Sequence, residues 1–409
     1  MNRWLNNEAS EADEVYRDEI LRQGDETMAT VEQAQPLPTT PAKKTQVGQS
    51  YWSLVWWKFK RNRVAVVGGI ILLTCYISFV LIPEFVAPYA LEHTTEYVEA
   101  PPTGIHFVDA EGNFHARPFV YGMEQKLDFA TRKRTYVEDT TKIYPLSFFS
   151  KGDPYKLFGL IPTNRHLFGV DQAANPDAAV FIMGTDALGR DWFTRIMYGG
   201  RLSLLIGLIG QVMTLIFGTI LGVISGFYGG AVDQVIQRAT EFLSAFPEIP
   251  LFMALAAAIP QYWSQLTVYF MLTLILSFVR WGGLARQVRG LILSLREREY
   301  VLAAKSAGAS DARLMFRHLL PGTMSHVTVI ATLAIPSMIL AETALSWLGL
   351  GLRPPLTSWG TLLQDAATVR AIHTTPWELW TVPFILLAIL AYNMLGDGLR
   401  DALDPYGAR

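Results

Sequence analysis

The ionisable residues with the most suggestive spacing lie between two long apolar segments, in the stretch from Arg296 to Pro321. This stretch is mainly basic, and its charged residues are Arg296, Glu297, Arg298, Glu299, Lys305, Asp311, Arg313 and Arg317. A basic loop between two membrane spans belongs on the cytoplasmic side. The pattern therefore predicts a charged surface in the cytosol that binds a partner, rather than a site that cleaves bonds.

No catalytic or metal-binding set accompanies this surface in the sequence. The run Gly184–Asp191 is rich in glycine and contains Asp186, but it lacks the Gly-Lys-Ser/Thr ending and the strand–loop–helix context of a phosphate-binding loop. The histidines have no ligand spacing, and Cys75 is the single cysteine. We therefore expect no catalytic residue, no metal site and no cofactor bound by this chain.

The local sequence of the basic stretch predicts two short helices joined by a bend. Residues Glu299 to Ala307 are good helix formers, and Gly308 suits a position that turns left-handed just after a helix. Ser310 can cap a second helix, in whose first turn Asp311 is favourable. We expect Pro321 to end that second helix before the next span.

The same stretch resembles the EAA loop of ABC-importer permeases, a signature of Glu-Ala-Ala followed at fixed spacing by Gly and by Leu-Pro. The matching residues are Ala303, Ala304, Gly308, Leu320 and Pro321. Leu302 stands where the family often has Glu, and His318 where an aliphatic residue is common. The flanking sequences resemble the dipeptide/oligopeptide permease branch, in particular its C-type subunit. An ordinary basic helix–turn–helix loop remains the alternative for this stretch taken alone.

Three further segments resemble the same branch. They are Gly184–Asp191, the Gly349–Pro355 run, and the ending Asn393–Pro405. The resemblance covers about Trp57 to Pro405.

The chain as a whole has the composition of a membrane protein. Half of its 409 residues are apolar (51%), only 17% are charged, and the net charge is −2, which does not invite nucleic acid. Six apolar segments predict six spans: Val64–Ile82, Leu202–Phe227, Phe242–Ile259 with a kink near Pro247, Leu266–Val279, Val327–Leu350 and Trp377–Leu395. We expect the basic stretch Arg280–Arg289 to follow the fourth span.

The remaining segments complete the predicted organisation. Residues 1–50 are predicted to be a disordered cytoplasmic tail, 51–63 an interfacial helix or the plain flank of the first span, and 401–409 a cytoplasmic tail. Residues 84–192 are predicted to form an extracytoplasmic α/β insert, with a hairpin within 106–119, and 193–400 the core with spans two to six. The expected fold is an all-α membrane bundle with this insert between its first two spans.

The predicted spans contain a glycine-rich helix face and an ionisable residue. Gly210, Gly218, Gly222 and Gly226 share one face of the second span with Thr214, so that face can approach another helix closely. Glu342 is an ionisable residue within the fifth span, and it either lines a pathway or packs through hydrogen bonds.

The resemblance carries a functional expectation. It implies one of two permease subunits of a type I ABC importer in a bacterial inner (plasma) membrane, with both termini cytoplasmic. The partners would be a second, homologous permease subunit, two ATPase subunits that use ATP and Mg²⁺, an extracytoplasmic binding protein and the lipid membrane. Glu299, Ala303, Ala304, Ser306, Gly308, Asp311 and Pro321 would form the loop that couples to the ATPase. The cargo would be di- or oligopeptides, with oligosaccharides or nickel chelates as alternatives, and a membrane receptor is the competing class of function.

Overall fold

The computed structural model describes residues 51–128, 133–172, 174–175, 177–260 and 262–403. The chain divides into two units, Met1–Leu54 and Val55–Arg409. Of the first unit, only the opening residues of one helix are described, so the predicted disordered tail, residues 1–50, lies outside the described residues. The same holds for most of the predicted C-terminal tail, whose described part, 401–403, belongs to a helix.

Long apolar helices make up most of the second unit. Their bounds in chain order are α1 Tyr51–Arg61, α2 Arg63–Cys75 with a π-helical extension Tyr76–Leu81, α3 Pro83–Val86, α4 Trp192–Tyr228, α5 Gly230–Ser244, α6 Glu248–Ala257, α7 Gln265–Leu295, α8 Glu299–Ser306, α9 Asp311–Arg313 with a π-helical extension Leu314–Leu319, α10 Leu320–Trp347, α11 Trp359–Ala366, α12 Val369–Thr374, a 3₁₀ helix Pro376–Trp380, and α13 Thr381–Leu403. Among the described residues, five helices are long and apolar enough to cross a bilayer, or six if α5 and α6 form one broken span.

The spans differ from the predicted ones mainly where charges occur inside a helix. Helix α7 continues to Leu295, so the stretch Arg280–Arg289 belongs to the same helix as the fourth predicted span, Leu266–Val279, and does not follow that helix. The third predicted span, Phe242–Ile259, includes only the end of α5 and all of α6. The bend near Pro247 is confirmed and is sharp, since the axes of α5 and α6 meet at 88°.

The insert between α2 and α4 consists of strands. They are β1 His106–Val108, β2 Phe114–Asp128, β3 Lys133–Pro145, β4 Ser147–Phe148, β5 Lys151–Leu157, β6 Ile161–Arg165 and β7 Phe168–Gly169. The predicted hairpin is confirmed, because β1 pairs antiparallel with β2 and His106 lies opposite Phe119. The strands form one three-stranded sheet, β1-β2-β3, and two pairs, β4-β7 and β5-β6.

The expected α/β character of the insert is wrong for the residues that the structure describes. The described helical structure there is limited to the single turn Pro83–Val86. Alternating and β-branched residues in β2 and β3 satisfy their backbone groups across the sheet instead, with Gly122 opposite Asp139 after a bulge.

Helix α4 is the centre of the bundle. It packs along α7 and against α10, and Asp191 caps its first turn by accepting a hydrogen bond from the Thr194 amide at 2.7 Å. The fully buried Trp192 and Trp359 belong to the core at one end of α4, and Val223 belongs to a second core at its other end. That second core holds the charged loop in place.

Candidate coupling site

A glycine bend joins the two short helices of the charged loop, as the sequence predicts. Helix α8 ends at Ser306, and Gly308 has a left-handed φ of +81°. The Gly308 amide donates to the Lys305 carbonyl at 3.0 Å, and the Ala309 amide donates to the Ala304 carbonyl at 3.1 Å. These two bonds are the pattern of a Schellman motif. The bend therefore depends on the missing Cβ of Gly308.

The second helix begins as predicted but does not end as predicted. The Ser310 hydroxyl accepts a hydrogen bond from the Arg313 amide at 3.4 Å, and Asp311 occupies the first turn of α9. The helical backbone then continues through the π-helical turn Leu314–Leu319 into α10. Pro321 lies in the first turn of α10, directly after the π-helical turn, so the prediction that it ends a helix is wrong.

The loop is anchored to the bundle by a small set of apolar side chains. Val301, Leu314 and Leu319 are each at most 3% exposed. They pack in one cluster with Val223 near the end of α4 and with Ile292 near the end of α7. A force applied to the loop therefore acts directly on the ends of two spanning helices.

Opposite these anchors, the loop exposes a broad surface. Its exposed residues include five of the predicted coupling residues, Glu299, Ala303, Ser306, Gly308 and Asp311, while Ala304 is half-buried and Pro321 is exposed at the far end. Large apolar side chains lie on the same loop in the open, with Tyr300 48%, Leu302 51% and Phe316 51% exposed. Exposed aromatic and aliphatic side chains of this size are typical of a protein–protein interface.

A polar brace beside the loop was missed in the sequence. The Arg289 guanidinium donates two hydrogen bonds of 2.5 Å to the Asp233 carboxylate, which also accepts one from the Ser225 hydroxyl. Arg296 donates to the Gly226 carbonyl at 3.1 Å, near the end of α4. These contacts tie α4, α5 and α7 together. In the sequence these residues appear only as isolated charges, because the bonded partners are up to 70 residues apart.

The glycine face of α4 packs closely, and its main partner is α7. A Cβ added at Gly218 would come within 2.9 Å of Leu284, and one added at Gly222 within 2.7 Å of the Ala285 carbonyl. Gly226 approaches Arg289 and Ile292 in the same way, whereas Gly210 faces Met338 of α10. Three of the four glycines thus pack against α7, and the fourth packs against α10.

Glu342 is enclosed between helices and is only 1% exposed. Its carboxylate accepts hydrogen bonds from the Ser203 hydroxyl at 3.0 Å and from the Ser346 hydroxyl at 2.7 Å. Ser203 also accepts from the Trp359 amide, so Glu342 belongs to a buried network that joins α4, α10 and α11. Of the two interpretations that the sequence left open, this geometry supports the packing role rather than the pathway-lining role.

Comparison with known proteins identifies two matched segments. Residues 218–406 match the family model of the binding-protein-dependent transport system inner membrane component. Residues 50–102 match the model of the N-terminal TM domain of oligopeptide transport permease C.

Relatives of known name match over similar lengths. The oligopeptide transport system permease protein OppC of Bacillus subtilis (strain 168) is 39% identical over 234 residues, which is 57% of this chain and 74% of that protein. The dipeptide transport system permease protein DppC of Alkalihalophilus pseudofirmus is 42% identical over 224 residues, or 54% of this chain and 71% of the relative. The OppC protein of Haemophilus influenzae is 41% identical over 223 residues, or 54% of this chain and 69% of that relative.

A bundle of apolar helices with a charged helix–glycine–helix loop at its end is the architecture of a multi-pass membrane permease. The chain belongs to the family of binding-protein-dependent transport permeases, in the oligopeptide permease C branch.

Proposed function

We propose that this chain is the C-type permease subunit of an ATP-driven importer of peptides and forms half of its translocation pathway. The observation that carries the proposal is the loop Glu299–Leu319, which is exposed on one side and packed on the ends of α4 and α7 on the other. Family membership and the names of the relatives, which are oligopeptide and dipeptide permeases, support the peptide cargo.

The proposed complex contains a second permease subunit, two ATPase subunits and an extracytoplasmic binding protein. In this arrangement the chain is not itself an enzyme, because the hydrolysis of ATP with Mg²⁺ occurs in the ATPase subunits. Closure of the ATPases would displace the loop, and the buried Val301 and Leu314 would pass that displacement to the spanning helices. Alternating access then follows from rigid-body movement of two bundles.

We further propose six spans, with α5 and α6 together as the broken third span. Both termini and the loop then lie in the cytoplasm of a bacterium, and the β-rich insert lies outside the inner membrane. The stretch Arg296–Pro321 is the main support for this orientation, because its five basic residues exceed its three acidic ones.

The coupling role can be tested by cross-linking in the assembled transporter. In a Cys75→Ala background, which removes the single and buried thiol, Ser306→Cys presents an exposed thiol on the loop. We expect a cross-link to a cysteine in the cytosolic ATPase, with a yield that changes when ATP is added. Asn164→Cys, exposed on strand β6 of the insert, is the matched control and should give none.

An absence of any cross-link from Ser306→Cys, in a complex that transports, would remove the coupling role from the loop. The receptor alternative predicts a different result, namely a cytosolic partner that does not hydrolyse ATP. Purification of the chain with its bound partners, followed by measurement of substrate-stimulated ATP hydrolysis, distinguishes these two functions.

A further inference from the structure

An arginine lies at the midpoint of α7, a long helix that lines a cavity with polar residues between the spans. Arg280 is 15 residues from Gln265 and 15 from Leu295, the two ends of α7. At about 1.5 Å per residue, α7 is about 46 Å long and Arg280 is about 22 Å from either end. A hydrocarbon layer of about 30 Å placed anywhere along this helix includes its midpoint. Arg280 is therefore an ionisable group within the membrane.

Arg280 is paired in a defined geometry. Its guanidinium donates to the Glu248 carboxylate and, through Nη1, to the Ser337 hydroxyl at 2.9 Å. The guanidinium also lies 5.7 Å from the ring centroid of the buried Phe252, which restricts its position. Glu248 begins α6, directly after the 88° break of the third span. Arg280 of α7 thus meets two partners from α6, Glu248 and Phe252, and one from α10, Ser337.

The pair faces open space and is not enclosed by protein. A cavity of about 490 Å³ is lined by Arg280, Glu248 and a second arginine, Arg286, together with polar residues such as Gln211 and apolar ones such as Phe246. The Glu248 side chain is 49% exposed. A volume of this size falls within the range of small-molecule sites, about 300–1,000 Å³.

Helix α7 separates this polar face from an apolar one. Phe270, Leu274 and Phe278 are spaced four apart and are exposed along one side. Arg280, Gly283 and Gln287 are spaced three and four apart on another side, where a Cβ added at Gly283 would meet nothing within 4 Å. A charged and polar helix face that borders a cavity is typical of a water-filled pathway and not of a lipid contact.

We propose that Arg280 and Glu248 form a binding site for the charged termini of a peptide in transit. The inference rests on the proposed function and specifies how cargo is recognised inside the membrane. A peptide with free termini carries one ammonium and one carboxylate. Arg280 can bind the carboxylate through its planar fork, and Glu248 can accept the ammonium. The exchange replaces one ion pair by two and adds no net charge to the membrane interior.

The test uses the assembled complex in proteoliposomes and a defined probe. The probe is tri-alanine, in one sample with both termini free and in others acetylated at its amine or amidated at its carboxyl group, with ATP-driven uptake read by mass spectrometry. We expect the unaltered complex to take up free peptides about 10- to 100-fold better than capped ones, the effect of one lost charge-assisted hydrogen bond. Arg280→Gln should abolish the preference for a free carboxylate, Glu248→Gln the preference for a free amine, and Arg280→Lys should restore part of the first.

The controls separate binding from folding and assembly. The double variant Arg280→Gln/Glu248→Gln removes both members of the ion pair, so it should still assemble with its partners while losing both preferences. Arg238→Gln removes the same charge from an exposed pair with Glu241, outside the cavity, and should keep both preferences.

Equal uptake of free and capped peptides by the unaltered complex, or retained preferences in the double variant, would overturn the inference. Failure of the unaltered complex to take up any peptide would instead overturn the proposed cargo, and this site with it.

Discussion

The strongest single test of the coupling loop is the replacement of Gly308 by valine. A Cβ added at Gly308 meets no atom within 4 Å, so steric crowding by neighbours plays no part. The cost is conformational, because φ is +81° and an L-residue pays about 1–2 kcal/mol for a left-handed backbone, more if it is β-branched. The two hydrogen bonds that close the bend contribute about 0.5–1.5 kcal/mol each. The cost and the stabilisation are of similar size, so a large fraction of Gly308→Val molecules should lose the bend.

The matched control is Gly308→Asn. Asparagine fills the same open space but tolerates the left-handed region well, and it is common at this helix position. We expect transport and substrate-stimulated ATP hydrolysis to fall several-fold in Gly308→Val and to stay near normal in Gly308→Asn. Both variants should be present in the membrane at normal abundance, because residue 308 is exposed.

The measurement is the ratio of stimulated to basal ATP hydrolysis, with abundance determined on the same membranes. Equal coupling in the valine and asparagine variants would refute the argument that the left-handed bend orients the second helix. A parallel loss of abundance and activity in Gly308→Val would show that the bend serves folding instead.

Three further predictions follow from other contacts. Gly222→Ala should lower the thermal midpoint of the purified protein, since overpacking against the Ala285 carbonyl costs about 1–3 kcal/mol. The control Gly283→Ala, in open space, should leave the midpoint unchanged or raise it slightly. Equal midpoints of the two variants would show that α7 moves aside without cost. Glu342→Gln keeps the size and most hydrogen bonds of the buried side chain and should preserve stability and transport, while Glu342→Leu should lower the midpoint; a loss of transport in a stable Glu342→Gln would support a pathway role. In the insert, His93 pairs with Asp153 at 2.9 Å, which raises the pKa of His93 and lowers that of Asp153. Stability from the raised histidine pKa is fully present below its unfolded value of about 6.5 and is lost as pH rises through the folded value. The protection factors for amide exchange around His93, which are corrected for the base-catalysed intrinsic rate, should therefore fall above neutral pH, and His93→Gln should remove that fall.

Local signals in the sequence predicted much of the coupling loop. Gly308 and Ser310 act through their own backbone and its nearest neighbours, so residue type and spacing were sufficient. Pro321 shows the limit of such reasoning. Proline is compatible both with the end of one helix and with the first turn of the next, and only the packed continuation into α10 decides between them.

Long-range pairing explains what the sequence could not show. The stretch Arg280–Arg289 resembles the basic flank of a span, because each charge there breaks the apolar run. In the folded chain, Arg280 pairs with Glu248 and Arg289 with Asp233, at separations of 32 and 56 residues. Each pairing lowers the free-energy cost of an arginine inside α7, and neither pairing produces a periodic pattern in the sequence. The glycine face was predictable as a face, but its partner α7 was identified only by the contacts.

Helix α7 connects the coupling loop with the proposed peptide site at Arg280 and Glu248. Its end, at Ile292, packs with Val301 and Leu314 of the coupling loop, and its midpoint carries Arg280 in the polar cavity. The Arg289–Asp233 brace fixes the segment between these two points to α5, the first half of the broken span. A helix is stiff along its axis, so a tilt imposed at Ile292 must move Arg280 relative to any element that does not tilt with it. Glu248 begins α6 beyond the 88° break that separates it from α5. We expect movement of the loop to change the geometry of the Arg280–Glu248 pair, which is the contact where we place the charged ends of the peptide.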